Sequence, residues 1–128
     1  MQNISAPEAF AALRTNPDAV LCDVRTLNEW RAIGVPDLSD LGKSPVFLEW
    51  VRGPGQPPNP DFLAVLAASC TDKSTPIYFL CRSGVRSAAA ALAAEQAGWK
   101  QTFNILAGFE APGGWRASLL PSAPFQPG

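Results

Sequence analysis

Short apolar runs alternate along this chain with segments of helical spacing, and that alternation predicts its architecture. Residues 19–24, 46–50, 77–80 and 102–106 are compact hydrophobic stretches rich in Val, Leu, Ile and Phe. Such runs are the expected look of strands buried on both faces of a parallel sheet. Between them, residues 61–70 place Phe62, Leu63, Val65 and Leu66 at helical spacing, and residues 85–97 form an alanine-rich helix closed by Gly98. Ser5-Ala6-Pro7-Glu8 has the form of a helix capping box, with Phe10 and Leu13 on one face and a stop near Asn16-Pro17. Thr26 is placed to cap a brief helical turn through Glu29 and Trp30. Strands alternating with helices predict an α/β domain of three layers, its mostly parallel central sheet flanked by helices. One domain over residues 1–120 is expected, followed by a flexible tail over 121–128 that carries three prolines. Four prolines and two glycines between 53 and 60 read as an irregular linker, with shaping of a site mouth as the alternative.

Composition then limits the chemistry. The 128 residues are 47% hydrophobic and 16% charged, with a net charge of −1, as expected of a globular chain. Without a dense basic run, nucleic acid is not an expected partner. No apolar stretch approaches the roughly 20 residues that span a bilayer, so no membrane is expected either. The opening residues lack the basic and apolar parts of a secretion signal, which gives a cytoplasmic expectation. Small size without an obvious apolar patch favours a monomer. Three cysteines in no repeating spacing suggest neither a disulfide framework nor a zinc site. Histidine is absent altogether, which excludes Cys-His proteases, Ser-His-Asp hydrolases and zincins built from this chain alone.

The most informative stretch is Cys81-Arg82-Ser83-Gly84-Val85-Arg86-Ser87, where a hydrophobic strand stops and a helix begins. A cysteine there faces free N–H groups and the positive end of a helix dipole, which favour the thiolate. Arg82 and Arg86 add charge that does not titrate away. The N–H groups of residues 82 to 87 can form an anion cradle, and Gly84 permits backbone angles that a side chain resists. One arginine must be partly buried, and Asp23 at the end of a neighbouring strand is the candidate counter-charge; capping of the following turn is its alternative role. Arg25 is placed to add to the field near the site, with solvated surface as the default. Cys22, within an apolar strand, reads as core; Cys70, at a helix end, reads as core or incidental surface rather than a resolving thiol. Trp30, Trp50, Trp99 and Trp115 read as packing residues.

The seven-residue loop resembles the active-site pattern Cys-Arg-x-Gly-x-Arg-Ser/Thr of single-domain rhodaneses, sulfurtransferases that carry sulfur as a cysteine persulfide. Asp23-Val24-Arg25 with Glu29-Trp30 is similar to that family's first strand end and turn, and Leu106-Ala107-Gly108-Phe109 with Trp115 and Leu120-Pro121 to its closing segment. The chain departs from the family where Ile33-Gly34-Val35-Pro36-Asp37 replaces the usual Gly-His-Ile-x-Gly-Ala stretch. It departs again at Ala107, usually glycine, and at the extra residues 111–114. The resemblance implies a rhodanese-like fold with Cys81 as sulfur carrier. It further implies a small anionic sulfur donor such as thiosulfate, a thiol, protein or cyanide acceptor, and no metal or organic cofactor. Two other readings stand beside it. A phosphatase or arsenate reductase also places cysteine and arginine on a strand-loop-helix, but tyrosine phosphatases use Cys-x5-Arg where this chain has Cys-x4-Arg. The other is a rhodanese module that docks partners without catalysis.

Overall fold

Period-two alternation within the strands decides how the layers assemble. Leu21, Tyr78, Leu80 and Ile105 fall on one face of the sheet, while Cys22, Ile77 and Phe79 fall on the other; each set joins its own buried cluster. A sheet apolar on both faces must be covered on both, which demands a helical layer on each side. The computed structural model describes residues 1–126 and has that arrangement.

Five parallel strands form the sheet: β1 (Gln2–Ile4), β2 (Val20–Asp23), β4 (Val46–Phe47), β5 (Ile77–Leu80) and β6 (Thr102–Ile105), in spatial order β1-β6-β5-β2-β4. β5 is therefore central, and the residue after it, Cys81, emerges at the carboxyl ends of the strands. In α/β sheets that is where ligands bind. Helix α1 (Ala6–Thr15) packs Ala6, Ala9 and Leu13 on one face with Phe109 and Trp115. Helices α3 (Phe62–Ser69) and α4 (Val85–Gln96) cover the other. The alanine run lets α4 lie close to the sheet, because Ala90, Ala91 and Ala94 are wholly buried with nothing larger to hold them off. Gly98, at φ +110°, ends α4 as expected. Both predicted caps are present. The Ser5 hydroxyl accepts from Glu8 N–H at 3.2 Å, and α2 (Leu27–Ile33) opens with a reciprocal Thr26–Glu29 capping box.

Three expectations need correction. The strand over 46–50 is regular only at Val46–Phe47, although Leu48 and Trp50 N–H still donate to the Asp23 and Val24 carbonyls. The segment over 53–60 is no linker. Val51 bridges Pro58, Arg52 N–H donates to Pro57 at 3.0 Å, and Asn59 Nδ2 holds the Glu49 carbonyl at 2.8 Å, so it is a tethered excursion. Nor is residues 121–126 a loose tail: β7 (Ser122–Ala123) pairs antiparallel with β3 (Val35–Pro36). Phe125 then packs on Trp30 and Phe47 at 5.6 and 5.2 Å between ring centroids. Aromatic burial outweighs the proline content there; residues 127 and 128 lie outside the described residues. Among the described residues no helix is long and apolar enough to cross a membrane.

Candidate active site

Cys81 directly follows the central strand, and its side chain turns inward: the residue is 1% exposed. Two polar groups reach its sulfur. Gly84 N–H lies 3.1 Å away and the Ser87 hydroxyl also 3.1 Å. The ring of amides implied by the sequence thus takes the form of one backbone donor and one hydroxyl. Gly84 itself sits at φ +103°, where a side chain is strained, so glycine is what lets that N–H turn onto the sulfur.

A second segment holds the loop from behind. Phe109 N–H donates to the Cys81 carbonyl at 2.8 Å, and Glu110 N–H to the Arg82 carbonyl at 3.0 Å. The approach is possible only because residue 108 is glycine, at φ +56°; a Cβ there would stand 2.4 Å from the Cys81 oxygen. Ala107 takes a left-handed φ of +63°, a position where the rhodanese pattern usually has glycine and where alanine is strained. The carbonyls of Cys81 and Arg82 are thereby fixed by residues 109 and 110, which anchors the start of the loop.

The arginines are not arranged as the sequence suggested. Arg86 makes two short bonds to Glu29, at 2.7 and 2.9 Å, with both side chains about one-fifth exposed. Burial alone would raise the Glu29 carboxyl. Hydrogen bonds from Arg86 and Thr26, with the guanidinium charge, overcome this and bring its pKa down to about 2. Arg86 is raised in turn, first by its hydrogen bonds to Glu29, with smaller contributions from the fields of Glu29, Cys81 and Asp23. Arg82 points to solvent, 68% exposed, and has Glu110 at 3.6 Å. Together with Ser83 and Ala111 these two line an open recess of about 410 Å³ beside the loop.

Asp23 is ion-paired with neither loop arginine, although its field reaches Arg86. Its carboxylate takes Arg25 Nε at 3.0 Å and Nη2 at 2.7 Å and also accepts the Arg25 N–H at 3.1 Å, so pairing two residues away closes locally before Arg86 can compete. Arg25 is likewise no surface residue: it is wholly buried, donates to the Gly34 carbonyl at 2.9 Å, and lies 4.3 Å from the Phe109 ring centroid. The pair thus supports the segment whose Phe109 N–H grips Cys81. Val85 is 76% exposed at the start of α4, next to the loop but away from the sulfur. Cys22 and Cys70 are buried free thiols in the apolar cluster, both raised by burial. Sequence reading missed Glu110, and missed Asn104, whose Oδ1 lies 2.6 Å from the Ser87 hydroxyl. Glu29 was visible as a cap and within the family match but not as the partner of Arg86, because that reach crosses 57 positions of sequence.

A buried cysteine at the end of a central parallel strand, met by a glycine amide and a helix-start hydroxyl, defines a rhodanese-like α/β domain. Comparison with known proteins agrees: a family model described as the STR4 middle domain matches residues 1–127, and the chain belongs to that rhodanese-like family. A crystal structure from M. tuberculosis has a TM-score of 0.88 and 42% identity, covering 98% of each chain. The polysulfide-sulfur transferase homodimer of Wolinella succinogenes has a TM-score of 0.66 at 28% identity, covering 96% of this chain and 78% of that one. The chloroplastic rhodanese-like domain-containing protein 4 of Arabidopsis thaliana is 32% identical over 118 residues, which are 91% of this chain and 24% of that protein.

Proposed function

We propose that this protein is a sulfurtransferase that carries a sulfane sulfur on Cys81. The observation that carries the reading is the Cys81 sulfur held between Gly84 N–H and the Ser87 hydroxyl, a setting of donors without a side-chain base. Sulfur transfer suits it, because neither half-reaction requires a proton to be taken from a substrate. The thiolate attacks the outer sulfur of thiosulfate, the S–S bond of the donor breaks, and sulfite leaves with the bonding pair. Cys81–S–S⁻ remains. A cyanide ion or acceptor thiolate then attacks the terminal sulfur and leaves with it as thiocyanate or a new persulfide, returning the Cys81 thiolate. The donors at Gly84 and Ser87 stabilise negative charge on sulfur in both states.

Arg82, exposed and loosely paired, is the residue to meet an anionic donor in the adjoining recess. Arg86 serves to fix the loop, since both ends of its guanidinium fork are engaged by Glu29. The same engagement weakens a phosphatase reading, in which that arginine would have to hold the phosphoryl oxygens. The Wolinella succinogenes relative, a polysulfide-sulfur transferase, supports the sulfur assignment from outside. Steady-state thiocyanate formation from thiosulfate and cyanide tests the proposal, with an aryl phosphate in parallel. Thiocyanate turnover lost in Cys81→Ser is the expected result. Phosphate release without thiocyanate overturns it, and silence in both assays favours a docking module.

A further inference from the structure

Behind the cysteine runs a chain of polar side chains that leads out of the core to the edge of the sheet. Ser87 Oγ is 3.1 Å from Cys81 Sγ and 2.6 Å from Asn104 Oδ1, and Asn104 Nδ2 is 3.1 Å from Asn3 Oδ1. Ser87 and Asn104 are buried, at 0% and 3% exposure, whereas Asn3 is exposed on β1 and stands opposite Asn104 in the strand register. A buried amide within a strand is costly unless its polar atoms are paired, and those of Asn104 are spent on Ser87 and Asn3.

Proton counting gives the chain a direction. A serine hydroxyl has one proton, so Ser87 cannot donate to sulfur and to Asn104 Oδ1 together. With the proton on Asn104, Ser87 Oγ can only accept, and the sulfur must be S–H. A sulfur that has lost its proton, or that carries a second sulfur, has nothing to donate and requires the Ser87 hydroxyl. Asn104 must then offer Nδ2 to Ser87 and Oδ1 to Asn3, and Asn3 must turn over its own amide. Asn3 can do so because water surrounds it.

We propose that Asn104, oriented by Asn3, is a positioning residue that sets whether Ser87 gives its proton to the Cys81 sulfur. This rests on Cys81 being the reactive thiol and assigns Asn3 and Asn104 a part in its chemistry. The test is the pH profile of Cys81 alkylation by iodoacetamide in the full chain, read on the Cys81 peptide by mass spectrometry. Asn3→Asp keeps the size of the side chain but can only accept, which locks Asn104 Oδ1 toward Ser87. Alkylation near neutrality should slow about threefold and its profile move to higher pH. Asn104→Asp, acting one link closer, should slow it about tenfold. Both effects should vanish in a Ser87→Ala background, because the hydroxyl that transmits them is gone. Slowing of the same size in Ser87→Ala would make it a plain field effect and overturn the proposal, as would an unchanged profile in Asn3→Asp. Alkylation involves no sulfur transfer, so a protein that passes this test yet forms no persulfide would refute the sulfurtransferase reading and leave the relay standing.

Discussion

Cys22 lies in β2 and Cys81 just beyond the end of the neighbouring β5; they are almost equally hidden, at 0% and 1% exposure, yet their surroundings could hardly differ more. Cys22 sits mid-strand, where the backbone N–H groups are spent on the ladder. Its thiol is raised well above the ordinary value, first by burial, then by the negative fields of Asp23 and Cys70. Cys81 sits one residue past the strand, where the ladder has ended and a helix is starting. There Gly84 N–H and the Ser87 hydroxyl are free to turn onto sulfur. Equal burial therefore leaves two thiols in opposite surroundings. What distinguishes the two is whether the chain at that point has donors left over.

The sharpest way to break this comparison is to remove each sulfur in turn. Cys81→Ser should lower thiocyanate formation by roughly a thousandfold or more, as loss of a nucleophile does. Cys22→Ala should leave turnover within about threefold and cost about 1–2 kcal/mol of stability for the small cavity, measured by urea unfolding. Comparable losses of activity in both variants would erase the distinction.

Gly108→Ala attacks the bracing of the Cys81 side only. The new Cβ meets the Cys81 oxygen at 2.4 Å, so the loop must shift by a good fraction of an ångström. A fall in kcat of about a hundredfold is expected, since misplacement on that scale costs about that much. Alkylation of Cys22 under mild denaturant should barely change. Faster alkylation of Cys22 would mean that the substitution had loosened the whole sheet.

Glu29→Gln has a smaller effect, on stability first. It removes the bidentate partner of Arg86 and should cost about 1–2 kcal/mol at neutral pH, read from urea unfolding. The pH dependence follows from the lowered Glu29 carboxyl. Its folded value of about 2 lies below the ordinary 4.5, so its contribution is complete above pH 4.5 and fades as pH falls through 2. The stability difference between wild type and Glu29→Gln should accordingly close over that window. A gap that persists at pH 2 would assign the stabilisation to packing rather than charge.

Smallest of all is Glu110→Gln. Freeing Arg82 from a carboxylate 3.6 Å away should lower KM for thiosulfate about twofold at low ionic strength, with no change above about 0.5 M salt. An unaltered KM at low salt would place the donor away from Arg82.

Much of this was legible in the residues, for reasons of range. The central strands are apolar on both faces, so β2, β5 and β6 announced themselves by pattern, and Cys81 by its place between a strand and a helix. Polar edge strand β1 was not legible, because Gln2 and Asn3 face solvent and carry no hydrophobic signal. Two-residue strands β3 and β7 are too short for any period to register. Charge pairing failed for a different reason. Asp23 was matched to a distant arginine when Arg25, two residues on, could close on it first, while the true partner of Arg86 was disguised as a helix cap. Phe125 taught the same lesson: three prolines near it suggested a loose end, but Trp30 and Phe47 offered an aromatic seat that only the folded chain assembles.

Peptide mapping by mass spectrometry after brief exposure to thiosulfate decides whether Cys81 is the sulfur carrier. One extra sulfur atom on the Cys81 peptide, none on the peptides of Cys22 and Cys70, and its complete loss on adding cyanide is the predicted result. Sulfur that accumulates on Cys22 or Cys70, or a Cys81 peptide that remains at its native mass, would contradict the account.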